Sequence, residues 1–284
     1  MGLHAMEVIK DLSSEKRVHG SPGEYRAAHK IRKYFESYGM KARFQKFSYV
    51  RGDVTYRSQN VVATLRGTTD RAIIIGAHYD SRPEGMGADD NASGVGVMLE
   101  TAKRIAEEKR LPYTVRFVAF GAEESPASLE GSNVYVARMS DEQIKRSRAM
   151  INLDTLIVGD NLYVHAGANK KTWVRDRMLR IADEENLPLQ IQRGLNPSYP
   201  AGFIPDGFSD YTAFNKAGIP IAALEATNWE IGDKDGYTQT RRHGSFWHTP
   251  RDYLPTIFDY FPRRPAARLH AFTKVTVELL ESTR

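Results

Sequence analysis

The 284-residue chain contains no cysteine, which excludes a disulfide framework and a thiolate zinc site. Any metal must therefore be held by His, Asp and Glu. No run of eighteen apolar residues occurs, so no membrane span is expected. The first residues, MGLHAMEVIKDLSSEKR, lack the charged-then-apolar order of a secretory leader, and a cytoplasmic location is expected. Linkers, repeats and low-complexity segments are missing too. Charge of either sign is not in large excess: 40 Lys and Arg stand against 35 Asp and Glu, a formal +5. The basic residues are dispersed, and their densest clusters, Arg241-Arg242 and Arg263-Arg264, are short. A nucleic-acid surface would need a basic stripe with aromatic interleaving. Neither nucleic acid nor membrane is expected as a partner.

What is there is organised around Ala72 to Gly94, AIIIGAHYDSRPEGMGADDNASG. The β-branched run Ile73-Ile74-Ile75 has the composition of a buried strand. It ends at Gly76-Ala77 and delivers His78, with Asp80 two residues on and therefore on the same side of an extended backbone. A Gly-rich loop then leads to Asp89-Asp90-Asn91 and a helical pattern through Val95, Met98, Leu99, Ala102 and Ile105. Imidazole and carboxylates gathered at a strand end suit a metal and not a core.

The same arrangement recurs. Thr114 to Phe120 reads as a second buried strand ending in Glu123-Glu124, and Ala149 to Leu153 as a third ending in Asp154. Further strands are expected at Lys41–Val50, Asn60–Leu65, Asn161–Val164 and Pro220–Ala226. Helices are expected after Ser21, where Ser21-Pro22-Gly23-Glu24 fits a capping box, and near Leu129–Met139, Trp173–Ala182, Ser209–Lys216 and Pro265–Leu280. Strands alternating with helices predict a single α/β domain over residues 1–284: a three-layer sandwich whose mixed, mostly parallel sheet carries helices on both faces. Ligands in such sheets gather at the carboxyl ends of the strands.

Imidazole nitrogens and carboxylate oxygens suit zinc. A pair of zinc ions needs a bridging carboxylate, for which Asp90 is the natural candidate. His78, Glu124, Asp154 and His248, the last in Phe246-Trp247-His248-Thr249, are of the right type and number to complete the shells. Adjacent residues on extended backbone point different ways, so one of Glu123 and Glu124 can bind metal while the other faces water as a general base. Asp89 reads as a turn or helix-cap residue. His4, His19, His29, His165, His243 and His270 have no partner that the sequence names.

GAHYDS, GADDNASG, GAEE, INLD and FWHT, in that order, resemble the five ligand-bearing motifs of the co-catalytic dinuclear zinc aminopeptidases. That family includes bacterial leucyl aminopeptidases, glutamate carboxypeptidase II and the mononuclear glutaminyl cyclases. The resemblance extends from Arg17-Val18-His19-Gly20-Ser21-Pro22-Gly23 to Asp252. The segment from Glu225 to Tyr237 is also similar to the alkaline phosphatase isozyme-conversion aminopeptidases. The resemblance implies the zinc-exopeptidase, phosphorylase/hydrolase-like fold and two Zn²⁺ per chain. It implies that Asp90 bridges them, that His78 and Asp154 complete one site and Glu124 and His248 the other, and that Asp80 orients His78. It implies hydrolysis of the N-terminal residue of peptides by a hydroxide held between the metals, with Glu123 as the base. Tyr211 stands where many relatives have His and becomes the candidate oxyanion donor; Asn91 stands where many have a third Asp.

For substrate binding, Trp247 adjoins a ligand, and Glu225, Glu230, Asp233 and Asp235 make one loop acidic, which would suit a basic N-terminal residue. Three other readings compete with the metallo-aminopeptidase. A dipeptidase or carboxypeptidase with similar metals would often carry an inserted dimerisation domain, for which these 284 residues leave no room. A mononuclear-zinc glutaminyl cyclase would carry about one metal. A non-catalytic interaction module on the same fold would have lost ligands, whereas all five are present.

Overall fold

A strand that is apolar on both faces must be covered on both, and this places Ala72–His78 at the centre. In the computed structural model, which describes residues 1–107, 111–125 and 128–283, every residue of that strand is buried. In chain order the elements are α1 Leu3–Leu12, α2 Pro22–Ser37, β1 Ala42–Arg51, β2 Val54–Leu65, β3 Ala72–His78, α3 Gly94–Ala106, β4 Thr114–Phe120, α4 Glu130–Ala137 and α5 Asp141–Arg146. Then come β5 Ser147–Leu153, β6 Asn161–Gly167, α6 Trp173–Glu184, β7 Leu189–Gln190, β8 Phe203–Ile204, α7 Tyr211–Lys216, β9 Ile221–Thr227, α8 Leu254–Tyr260 and α9 Arg264–Ser282.

The nine strands form one sheet in the order β1-β2-β4-β3-β5-β9-β6-β7, with β8 on β6. β3 lies parallel between β4 and β5, and β5 is parallel to β9. The β1–β2, β2–β4 and β6–β9 pairs are antiparallel. Strand alternation divides the core. Ile73 and Ile75 join the cluster built with α1, α2, α3, α6 and α9, while Ile74 faces Tyr135 of α4 and Phe214 of α7. Each fully buried isoleucine contributes about 1.5–3 kcal/mol. The result is the expected α/β sandwich with a mixed, mostly parallel sheet. No helix among the described residues is long and apolar enough to cross a membrane.

The structure departs from the sequence expectation at several elements. β2 begins at Val54, earlier than Asn60, because its first half extends with β1 as a hairpin arm whose residues are largely exposed and leave no apolar run. At α2, Ser21 accepts from the Glu24 N–H at 3.2 Å, but the return half of the capping box is not made. The buried Glu24 carboxylate instead accepts from Gly20 N–H, Ser58 Oγ and Ala122 N–H, and burial pushes its pKa up to about 8. Helices α1, α5 and α8 were not foreseen.

Candidate metal centre

Three parallel strands end side by side. β3 delivers His78, β4 delivers Glu123 and Glu124 through Gly121 and Ala122, and β5 delivers Asp154. A π-helical turn, Ala88–Ser93, brings in Asp90, and the Asp90–Asn91 peptide is cis. The loop before α8 supplies His248, whose φ is +54°.

His78 Nε2 lies 3.1 Å from Asp90 Oδ1 and 3.4 Å from Asp154 Oδ1. His248 Nε2 lies 3.2 Å from Asp90 Oδ2 and 3.2 Å from Glu124 Oε1. Asp90 thus offers one oxygen to each histidine. The donor atoms of His78, Asp90 and Asp154 fall within 4.8 Å of one another, as do those of Asp90, Glu124 and His248. Asp154 Oδ1 is buried without a hydrogen-bond partner, the condition of an atom awaiting a cation. Two carboxylates and one imidazole per trio fit divalent zinc.

The electrostatics agree with that fit. Burial would raise Asp90, but hydrogen bonds from His248 and His78 hold it well below the carboxylate range. Burial and the neighbouring Asp90 lift Glu124 to about 7, and burial raises Asp154. Burial alone would lower His78, yet the Glu123 and Asp154 carboxylates hold it well above the usual imidazole range. Hydrogen bonds to Asp90 and Glu124 bring His248 up to about 10. Glu123 is raised well above its ordinary value by burial, against the pull of His78 and with the repulsion of Glu124. Negative charge is crowded here, and cations would relieve it.

The supports are equally specific. Asp80 lies 3.5 Å from His78 Nδ1 and accepts the backbone N–H of Glu123 at 3.1 Å and of Glu124 at 2.9 Å. Ser209 Oγ donates to Asp154 at 2.6 Å. Three further residues carry roles that the sequence reading missed. The buried Asp252 carboxylate accepts the N–H groups of Asp89 and Asp90, at 2.7 and 3.1 Å. Asp89, expected as a turn or helix-cap residue, lies in the turn Ala88–Ser93, where it is buried and accepts from Ile157 N–H and Gln239 Nε2. Arg17, fully buried, donates to the carbonyls of Leu12, Tyr79, Met86 and Gly87, tying the strand end at Tyr79 to the loop that precedes Asp90. Gly87 has φ +63°, and a Cβ there would sit 2.5 Å from Ser81 and 2.7 Å from Arg17 Nη2, so only glycine fits this turn.

The sequence profile of peptidase family M28 matches residues 60–268. The chain belongs to peptidase family M28. As a member of M28 it is a peptidase, an enzyme of the hydrolase class. It is 36% identical to the alkaline phosphatase isozyme conversion protein of Escherichia coli strain K12, over 93% of this chain and 85% of that one. It is 31% identical to aminopeptidase YwaD of Bacillus subtilis strain 168, over 70% of this chain but 40% of YwaD. Among solved structures, the aminopeptidase from Aneurinibacillus sp. strain AM-1 superposes with a TM-score of 0.78 at 20% identity, covering 99% of this chain and 94% of that one. The glutaminyl cyclase of Porphyromonas gingivalis gives 0.77 at 20% identity, covering 99% and 98%. At these identities the structural likeness speaks for the M28 fold.

The M28 chain presents a cleft of about 210 Å³, lined by His78, Asp90, Glu123, Glu124, Asp154 and His248 together with Arg82, Ile204, Phe208, Tyr211, Leu224, Glu225, Tyr237 and Trp247. Two sequence expectations change here. Tyr211 reaches the cleft, but its hydroxyl donates to the Pro205 carbonyl, so its single O–H hydrogen is not offered to an oxyanion. Asp233 and Asp235 do not line the cleft: Asp233 is exposed and the Asp235 carboxylate accepts the Tyr237 N–H. Glu225 does line it, and its Oε1 accepts from Trp229 Nε1 and lies 2.9 Å from His165 Nε2. His165, for which the sequence named no partner, is buried against it.

Proposed function

We propose that the chain is a zinc-dependent aminopeptidase that releases the N-terminal residue of peptides. The observation that carries this reading is Asp90, whose two carboxylate oxygens each face a different histidine, with Asp154 on one side and Glu124 on the other. One divalent ion would be held by His78, Asp90 and Asp154, the other by Asp90, Glu124 and His248. When bound, such a pair polarises a carbonyl and lowers the pKa of water to roughly 7.

The chain's own groups do the rest. Glu123 is the general base. Its carboxylate stands in the cleft and, among the described residues, forms no hydrogen bond, so it is free to take a proton from water and return it to the leaving amine. Asp80 holds the N–H groups of both Glu123 and Glu124, and, 3.5 Å from His78 Nδ1, it stands where it would orient that ring. The acidic lining favours the substrate's free α-ammonium. The cleft is small for a ligand pocket, which supports removal of one terminal residue. Glu225 and Trp247 are the wall residues proposed to meet the side chain of that residue.

Elemental analysis paired with a panel of amino-acid anilides tests the proposal. About two zinc ions per chain and turnover of the anilides are expected. About one metal, with pyroglutamate formed from N-terminal glutamine, would instead establish the cyclase alternative.

A further inference from the structure

Along the sequence the arginines look scattered, but folding collects six cations around a second cavity, of about 790 Å³. Lys41, Arg43, Arg66, Arg116, Arg138 and Arg146 line it, against Asp70 and Glu142. Among the described residues, six positive and two negative groups leave a surplus of four, in a chain whose net charge is +5. Arg146 pairs with both acids, at 2.6 Å each. Among the described residues the other five cations form no ion pair with a carboxylate.

Their placement is set by the sheet. Arg43 on β1 pairs with Val62 of β2, and Arg116 on β4 pairs with Thr64. Val62 and Thr64 are two residues apart, so both arginines stand on one face. Arg138 closes the side beyond α4, where its Nη1 donates to the Lys46 carbonyl at 3.1 Å. Apolar side chains share the lining, among them Met40, Leu65 and the buried Tyr135. The cavity opens where β3 and β4 begin, at Ala72 and Thr114, whereas the catalytic cleft lies where they end. A seven-residue strand separates the two by roughly 20 Å.

We propose that this groove is a second ligand site, for a small organic anion that carries two phosphoryl groups. Its volume lies in the range of small-ligand sites. Guanidinium forks match phosphoryl oxygens two by two. Two phosphoryl groups carry roughly −3 (as a diphosphate) to −4 (as two monoesters) at neutral pH, close to the surplus of four. The apolar lining takes the organic part.

Calorimetric titration of the zinc-loaded enzyme with ADP and with AMP, at about 50 and 150 mM salt, tests this; ADP serves as a probe with two phosphoryl groups and a ring. Saturable one-to-one binding of ADP is expected at both salts, about tenfold tighter than AMP. The double variant Arg43→Gln/Arg116→Gln should weaken it at least tenfold while leaving anilide turnover and melting temperature unchanged. If the double variant misfolds, Arg138→Gln alone should weaken ADP measurably. No saturable binding, binding that vanishes at the higher salt, equal affinity for AMP, or binding undiminished in the folded variants would each overturn the site; the last would assign the nucleotide to the catalytic metals.

Discussion

A carboxylate that is buried and raised in pKa is expensive to keep, and Glu123, whose carboxylate forms no hydrogen bond among the described residues, is such a group. Its proposed role as general base would give such a group its use. Glu123→Gln keeps the shape and removes the basicity. It should retain both metals and lower kcat about 10³-fold, read by metal analysis alongside steady-state turnover of an anilide; normal turnover would remove Glu123 from the role of base. Substrate preference also narrows to one side chain. Of the acidic loop residues, only Glu225 lines the cleft, with Oε2 not engaged by His165 or Trp229. Glu225→Gln should therefore lower the ratio of arginyl to leucyl anilide turnover about tenfold, the scale of one charge-assisted hydrogen bond. An unchanged ratio would make Glu225 a packing partner of Trp229. Of the five residues proposed as ligands, His78, Glu124 and Asp154 were legible because each follows an apolar run, and Asp90 and His248 through the motifs GADDNASG and FWHT. Asp233 and Asp235 misled because the direction of a loop carboxylate depends on which N–H it finds, and Asp235 found that of Tyr237.

Elements hold these residues in place through contacts that no local pattern announces. Helix α1 was missed because its cap is not its own: the N–H groups of Gly2 and Ala5 are satisfied by Glu100 of α3, at 2.9 and 3.0 Å. Helix α5 did carry a signal, the reciprocal capping box of Ser140 and Gln143, but its six residues bury nothing and show no apolar period. The β3, β4 and β5 ends were legible since buried parallel strands read as continuous apolar runs. The loop that closes over them was not. Asp252, one acid in an irregular stretch, supports the Asp90 turn from 162 residues away in sequence by accepting its N–H. Asp252→Ala should leave the sheet intact and weaken metal binding 10- to 100-fold, as loss of an outer support does. Competition against a chromophoric chelator measures it, and wild-type affinity would show that the turn holds its shape without Asp252.

At the scale of the molecule, charge is sorted to opposite ends of the sheet. Cations from Lys41 to Arg146 meet where β3 begins, and acids from Asp80 to Asp252 meet where it ends. The overall balance of 40 to 35 conceals this partition, because residues a hundred positions apart become neighbours only through the strand order. The acidic end makes the metal-free protein sensitive to pH in a defined direction. Burial raises Asp89 and Asp210 to about 7 from an ordinary aspartate value near 3.8, and Glu124 to about 7 from 4.5. Groups raised on folding contribute stability that is complete below their unfolded pKa and lost as pH climbs through the folded one. His248, raised to about 10 from 6.5, has the same sign with a later window. Asp90, held low, has the opposite sign, but its stability is present above about 4 and declines only in more acid solution. Chelator-stripped protein should therefore melt at progressively lower temperature from about pH 5 to pH 8. Zinc should raise the melting temperature most at pH 8, since bound cations replace the missing protons and metal affinity grows as ligands deprotonate. Melting curves across that range, with and without zinc, are the measurement. A stripped protein that gains stability toward pH 8 would mean that these carboxylates are already balanced by Arg17 and the surrounding N–H groups, and that the site is folded for its own sake and not poised for metal.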